Sequence, residues 1–324
     1  MLTNQHIQTA IDNCLRNTDF LNLANRRKGK VRDIFDLGET LLLITTDRLS
    51  AFDRILATIP FKGQVLNQVS AFWFRETQDI VPNHVVSLPD PNITIARKCR
   101  LLPIEFVVRG YLTGSTDTSA WTLYARGERT ICGNTLPNRM VKNQRFEQPI
   151  LTPTTKSDVH DESISVAEIS SRGIIEQPLL EEVCRIALNL FKRGQEIALK
   201  NGLVLVDTKY EFGLDADGNL TLIDEIHTPD SSRYWIAESY EERFAQGREP
   251  ENIDKEFLRL WFRENSDPYN DETLPPAPEQ LVVELSRRYI QLYEMITGKE
   301  FTIEPCNSIE ERITTNLHKA AVTV

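Results

Sequence analysis

Residues 203–227 read LVLVDTKYEFGLDADGNLTLIDEIH: two strand-like runs joined by a segment that holds Asp217-Gly218. An Asp-Gly pair between β-prone runs is among the strongest local hairpin signals. It commits this part of the chain to an antiparallel sheet. A weaker hairpin signal lies near the N-terminus, where 30–37 and 40–46 look like strands joined at Gly38.

Helical periodicity surrounds these hairpins. The spacing predicts a short helix through Ile7, Ala10, Ile11, Cys14 and Leu15, and others over 63–80 and 117–125. Ser165 and Glu168 make a capping box. The clearest helix spans 178–201, with a stripe of Leu179, Val183, Ile186, Leu190 and Ile197 and Gly202 just past its end. Two more follow near 253–263 and 278–297. Short strands are expected near 93–98 and 105–111, and 127–163 reads as a long loop. Hairpins mixed with helices, without regular βαβ alternation, argue for an α+β fold. The 324 residues suggest two domains, divided near 100–110 and taken as 1–105 and 106–324.

Charge narrows the function classes. The chain carries 37 basic and 47 acidic residues, a net charge of −10, the wrong sign for a generalist nucleic-acid binder. The five cysteines are odd in number and form no CxxC, which favours reduced thiols in a cytoplasmic setting over a disulfide framework or a zinc site. The opening MLTNQHIQTAIDNC does not read as a secretory signal, and no apolar run is long enough to span a membrane.

Candidate chemistry concentrates in five places. A two-residue turn at Asp217-Gly218 would set Glu211 directly opposite Asp224, with Lys209 on the same face. Either this is a solvated acidic face, or a divalent cation joins the carboxylates while Lys209 reaches a phosphate. A register slip of one residue would dissolve the pairing. Arg26, Arg27, Lys28, Lys30 and Arg32 crowd around Gly29. That cluster is a solvated surface or a phosphate cradle. It is no Walker A loop, because GxxxxGK[ST] is absent. In EFVVRGYLTGSTDTSAW, Arg109 leaves an apolar strand and the glycines bend the chain toward Ser115 and a helix start, a possible anion site. In HTPDSSRYW, Arg233 follows two serines, and the lone His227 reads as a packed residue. In TPTTKSDVHDES, Lys156 and His160 lie in a polar stretch. No Ser-His-Asp elbow is present.

The strings GKVRDIFDLGETLLLITTDRLSAFD, LPIEFVVRGYLTGS and LVDTKYEFGLDADGNLTLIDEIHTPDSSRYW, in this order, resemble the phosphoribosylaminoimidazole-succinocarboxamide synthase (SAICAR synthetase) family. The resemblance runs from about Lys28 to Trp235. It implies a small N-terminal antiparallel-sheet domain like a kinase small lobe, a larger ATP-grasp-like α+β domain, and ATP in the cleft between them. It implies a cytoplasmic ATP- and Mg²⁺-dependent ligase that joins the carboxylate of carboxyaminoimidazole ribotide (CAIR) to L-aspartate. No nucleic-acid or membrane partner is implied, and monomer or homo-oligomer stays open. Position by position, Lys30 and Arg32 fall to the ATP phosphates, Lys209 to the nucleotide, and Glu211 and Asp224 to magnesium. Arg109, Ser115 and Arg233 fall to the phosphoribosyl end of CAIR. Lys156, with His160 and Asp161, falls where aspartate meets the reacting carboxylate; Lys156 and Lys209 are the expected catalytic lysines.

Two rival readings use the same groups. A small-molecule kinase would share the phosphate and metal ligands, yet HRD and DFG are absent. A non-catalytic nucleotide sensor would not need Arg109, Ser115 and Arg233 together.

Overall fold

The computed structural model of the chain describes residues 2–52, 54–156, 162–253, 256–306 and 308–322. Contacts divide it into two units. The first comprises Met1–Phe72, Val85–Lys98 and Ile253–Val324; the second comprises Trp73–His84 and Cys99–Asn252.

The first unit opens with α1 (Asn4–Thr9) and then β1 (Arg26–Lys28), β2 (Arg32–Asp36) and β3 (Thr40–Thr45). The Gly38 hairpin forms as the sequence predicts. Lys30, however, lies in the turn between β1 and β2 instead of opening a strand. A hairpin of β4 (Arg48–Ala51) and β5 (Arg54–Thr58), the helix α2 (Lys62–Glu76), and β6 (Val85–Asp90) and β7 (Ile93–Arg97) follow. The main sheet has the order β1-β2-β3-β7-β6, all antiparallel. Alternation turns Phe35, Leu42 and Ile44 inward.

The second unit is built on β8 (Arg100–Leu112), which continues through α3 (Ala120–Ala125), β9 (Thr130–Ile131), β10 (Asn134–Thr135), β11 (Gln144–Leu151) and β12 (Thr154–Thr155). Next come α4 (Val166–Ser171), α5 (Gln177–Lys200), β13 (Leu203–Leu214), β14 (Leu220–Ile223), β15 (Ser232–Ile236) and α6 (Ala237–Ala245). The sheet runs β11-β8-β13-β14, with β12 added to β8 and β15 to β13. Thus 127–163 is not a bare loop. β11 lacks a readable alternation because its register shifts between Arg145 and Ile150, around Pro149, at the edge of the sheet. The predicted capping box on α4 is present.

Helix α5 buries Leu180, Val183, Ile186, Leu190 and Phe191 against this sheet. Gly194 permits the close approach: a Cβ there would stand 2.4 Å from His227 and 2.7 Å from Leu205. His227 is fully buried, its Nε2 is 2.5 Å from the Tyr210 hydroxyl, and its ring packs edge-on against Trp73.

The chain ends in α7 (Glu256–Asn265), α8 (Glu279–Thr297) and α9 (Ile309–Lys319). These differ from the expected division at 105/106, because they pack with the first unit. Ile309, Ile313 and Leu317 of α9 join Phe35, Leu42, Ile44 and Ile93 in one core. Arg312 makes a two-pronged ion pair with Asp90, at 3.0 and 3.1 Å. An apolar helical stripe shows that a helix is covered, not which sheet covers it. Among the described residues, no helix is long and apolar enough to cross a membrane.

Candidate active site

Strand alternation gathers the charged groups of the second unit on one face of its sheet. On β8, Glu105, Val107 and Arg109 alternate with the fully buried Ile104, Phe106 and Val108. On β13, Asp207, Lys209 and Glu211 alternate with Thr208, Tyr210 and Phe212, each buried. In register, Asp207 faces Arg109, Lys209 faces Val107, and Glu211 faces Glu105.

One end of this face is a guanidinium pair. β15 sets Arg233 opposite Asp207 on the other side of β13. Oδ2 of Asp207 therefore accepts from Arg233 and lies 3.3 Å from Nη1 of Arg109. Nε of Arg109 donates to the Thr152 hydroxyl at 2.9 Å. Burial pulls the Arg109 guanidinium below its ordinary pKa, and the Asp207 carboxylate opposes that pull. Two arginines spaced by one buried carboxylate can grip a phosphate with several donors.

The other end carries lysine–carboxylate pairs. Nζ of Lys209 lies 2.9 Å from Oε1 of Glu105, and Lys156 pairs with Glu211. β12 delivers Lys156: Thr154 faces Glu105, and the Lys156 amide donates to the Pro103 carbonyl at 3.1 Å. Burial opposes the charge on Lys209, yet Glu105, Asp224 and Glu211 outweigh it and hold the ammonium above its usual range. Burial, and then Asp224, push the Glu211 carboxyl above its ordinary value, against Lys156.

The expected hairpin register is corrected here. Glu211 pairs with Ile223, not Asp224. The turn is not the two-residue Asp217-Gly218 type. Leu214 and Leu220 close the strands, and the Asp215 carboxylate accepts from the amides of Asp217 and Asn219, so it organises the whole of Asp215–Asn219. Continued in register, β14 would put Asp224 opposite Tyr210, on the buried side. Asp224 instead takes a left-handed backbone, φ +66°, which breaks the alternation. Its charge still acts on both Glu211 and Lys209.

The family model for SAICAR synthetase matches residues 25–276. The chain belongs to the SAICAR synthetase family. The chloroplastic phosphoribosylaminoimidazole-succinocarboxamide synthase of Arabidopsis thaliana is 59% identical, over 97% of this chain and 78% of its own length. The synthase of Legionella pneumophila (strain Paris) is 56% identical, over 94% of this chain and 98% of its own. The structure of the SAICAR synthase of Saccharomyces cerevisiae complexed with SAICAR is similar at a TM-score of 0.78 and 32% identity, covering 89% of this chain and 100% of that one.

Measured against the residues that SAICAR synthetase resemblance implies, the sheet brings together Arg109, Lys156, Lys209, Glu211, Asp224 and Arg233 on the second unit. Lys30 and Arg32 belong to the first. Ser115 is exposed, past the end of β8, and the helix start predicted beside it is not there; α3 begins at Ala120 with Ser119 as its cap. His160 and Asp161 lie outside the described residues. Glu105 and Asp207 were missed by sequence reasoning. The alternation in EFVVR and VDTKYE places each on the same face as a predicted residue, and only the pairing of β8 with β13 joins those faces.

The donor set suits magnesium. Glu211 and Asp224 offer hard carboxylate oxygens, and the Asp224 charge adds to burial in raising the Glu211 pKa, a cost that a divalent cation would remove. Among the described residues, no group of three or more His, Cys, Asp or Glu side chains is arranged to hold a metal on protein ligands alone. A magnesium site completed by substrate phosphates needs only one or two. In this structure Glu211 is paired with Lys156.

Proposed function

We infer that this protein is an ATP-dependent ligase that joins the carboxylate of CAIR to the amine of L-aspartate, giving SAICAR, ADP and phosphate. The observation that carries the reading is the single sheet face with two arginines on Asp207 at one end and the Lys209–Glu105 and Lys156–Glu211 pairs at the other. The first end suits a sugar phosphate. The second suits a nucleotide triphosphate beside a reacting carboxylate.

A carboxylate does not react with an amine at neutral pH, so it must first be activated. In the proposed course, a CAIR carboxylate oxygen attacks the γ-phosphorus and the bond to ADP breaks. The aspartate nitrogen then attacks the acyl phosphate carbon, phosphate leaves, and the amine loses a proton. Such transfer rests on positioning and charge neutralisation, without a dedicated protein nucleophile. Lys30 and Arg32 would hold the ATP phosphates, and Lys209 would stabilise charge on the transferred group. Arg109 and Arg233, with Ser115, would hold the phosphoribosyl end of CAIR. Lys156 would steady the carboxylate where aspartate arrives, and His160 and Asp161 are the candidates for aspartate itself. Magnesium on Glu211 and Asp224 would neutralise phosphate charge.

Release of ADP, followed with ATP, Mg²⁺, CAIR and aspartate and with each omitted in turn, tests this. Full turnover is expected only with all four. Equal ADP release without aspartate would point to a kinase, and no release in any mixture to a nucleotide sensor.

A further inference from the structure

The turn that carries Lys30 is tied down from beneath by a buried arginine on another strand. Arg48 opens β4, and its side chain is 3% exposed. Its Nη2 donates to the Gly29 carbonyl at 2.9 Å and its Nε to the Lys30 carbonyl at 3.1 Å. Its Nη1 donates to the Arg16 carbonyl at 3.1 Å, and Nη2 also meets the fully buried Asp33 carboxylate at 2.6 Å. The next carbonyl, of Val31, accepts from the Thr46 amide at 3.0 Å and the Thr46 hydroxyl at 2.6 Å. Three consecutive carbonyls, at 29, 30 and 31, are thus bonded inward, while Lys28, Gly29 and Lys30 are exposed.

The turn's own geometry is equally constrained. The Gly29 amide donates to the Arg32 carbonyl at 2.8 Å, and a Cβ on Gly29 would stand 2.6 Å from that oxygen. Carbonyl oxygens repel an incoming anion, whereas amides and cations attract it. Drawing the carbonyls inward removes that repulsion from the side on which Lys30 is exposed. Only a planar fork of donors can take carbonyls 29 and 30 together with Asp33; an ammonium is a point charge.

We propose that Arg48 is a positioning residue for the nucleotide: it fixes the Gly29–Val31 turn so that Lys30 and Arg32 meet the triphosphate. This rests on the reading of those two residues as phosphate contacts. In this role Arg48, buried beneath the turn, acts through the backbone it holds.

The test compares Arg48→Lys, Thr46→Val and Lys30→Ala, each alone and with Lys30→Ala added to the other two. Arg48→Lys keeps a cation against Asp33 and loses the fork. Thr46→Val removes one neutral bond to the same turn and is nearly isosteric, so it decides the matter if Arg48→Lys does not fold. The expected result for Arg48→Lys is a rise in the KM for ATP of about tenfold, with the KM for CAIR within about twofold. Thr46→Val should raise the KM for ATP by about twofold to threefold. Each effect should shrink when Lys30→Ala is already present, since coupled residues are non-additive. Folded variants with the original KM for ATP, or with ATP and CAIR equally affected, would overturn the proposal, as would effects that simply multiply with that of Lys30→Ala. If Lys30→Ala alone leaves the KM for ATP unchanged, the phosphate reading fails first and the role of Arg48 falls with it.

Discussion

Glu105 and Glu211 stand directly opposite each other across β8 and β13, and each is clasped by a lysine, Lys209 on the first and Lys156 on the second. Like charges so placed repel. Here Lys209 and Lys156, the two lysines proposed for the reaction, are the cations that offset the repulsion.

Glu105→Gln should weaken nucleotide handling through Lys209. The variant removes the charge that does most to keep the Lys209 ammonium above its usual range. The expected outcome is a loss of about tenfold in kcat/KM for ATP. The KM for CAIR should change far less than that for ATP. An unchanged kcat/KM for ATP would detach Glu105 from this role.

Glu211→Gln and Asp224→Asn should act on the metal and not on the fold. Burial and mutual repulsion already disfavour the charged form of Glu211, so removing one charge relieves a cost. Each variant should need at least about tenfold more Mg²⁺ for half-maximal activity. Its melting temperature should match or exceed that of the parent. Unaltered rates at limiting Mg²⁺ would remove the metal assignment.

Asp207→Ala should free two guanidiniums from their shared partner. Breaking a buried ion pair by removing one side costs about 3 kcal/mol, which urea unfolding can measure. The KM for CAIR should rise far more than that for ATP. Arg233→Ala should show the same split with a smaller loss of stability, because Arg233 is more exposed than Asp207. A CAIR KM unmoved by Arg233→Ala would take that residue out of the site.

His227 should make the fold acid-sensitive. Burial lowers its pKa from 6.5 to about 3, so between those values the unfolded chain binds the proton that the folded chain refuses. Stability from this group is complete above 6.5 and is lost as the pH falls, by about 2 kcal/mol between pH 7 and pH 5. Asp47 works in the opposite sense. Burial raises its pKa from 3.8 to about 6, so its contribution declines as the pH rises through that window. Comparing His227→Gln with the parent by urea unfolding at both pH values isolates the histidine. The variant should be less stable at pH 7 but flatter with pH. Equal slopes would show that His227 is not the acid-sensitive group.

Part of the candidate site's geometry is legible in the motifs. Lys209 and Glu211 share a face because alternation is a local property of a strand. The mate of Glu211 is Ile223 and not Asp224 because register depends on the loop, and the Asp215 carboxylate builds a longer loop than Asp217-Gly218 alone implies. Asp224 still acts on Glu211 despite the different register, and its left-handed backbone is a feature that no periodicity announces.

The sequence by itself determined the α+β class, the hairpin at Gly38, the long helix before Gly202, and the family, since each is written in local spacing or in a contiguous string. Only the tertiary structure decided that β8 lies beside β13, which sets Glu105 against Glu211 and Asp207 between two arginines. It also decided that the C-terminal helix α9 closes the core of the N-terminal sheet. The physical reason is the same in both cases. Alternation and amphipathicity state which face of an element is covered, whereas the partner on that face is chosen by packing between segments far apart in the chain.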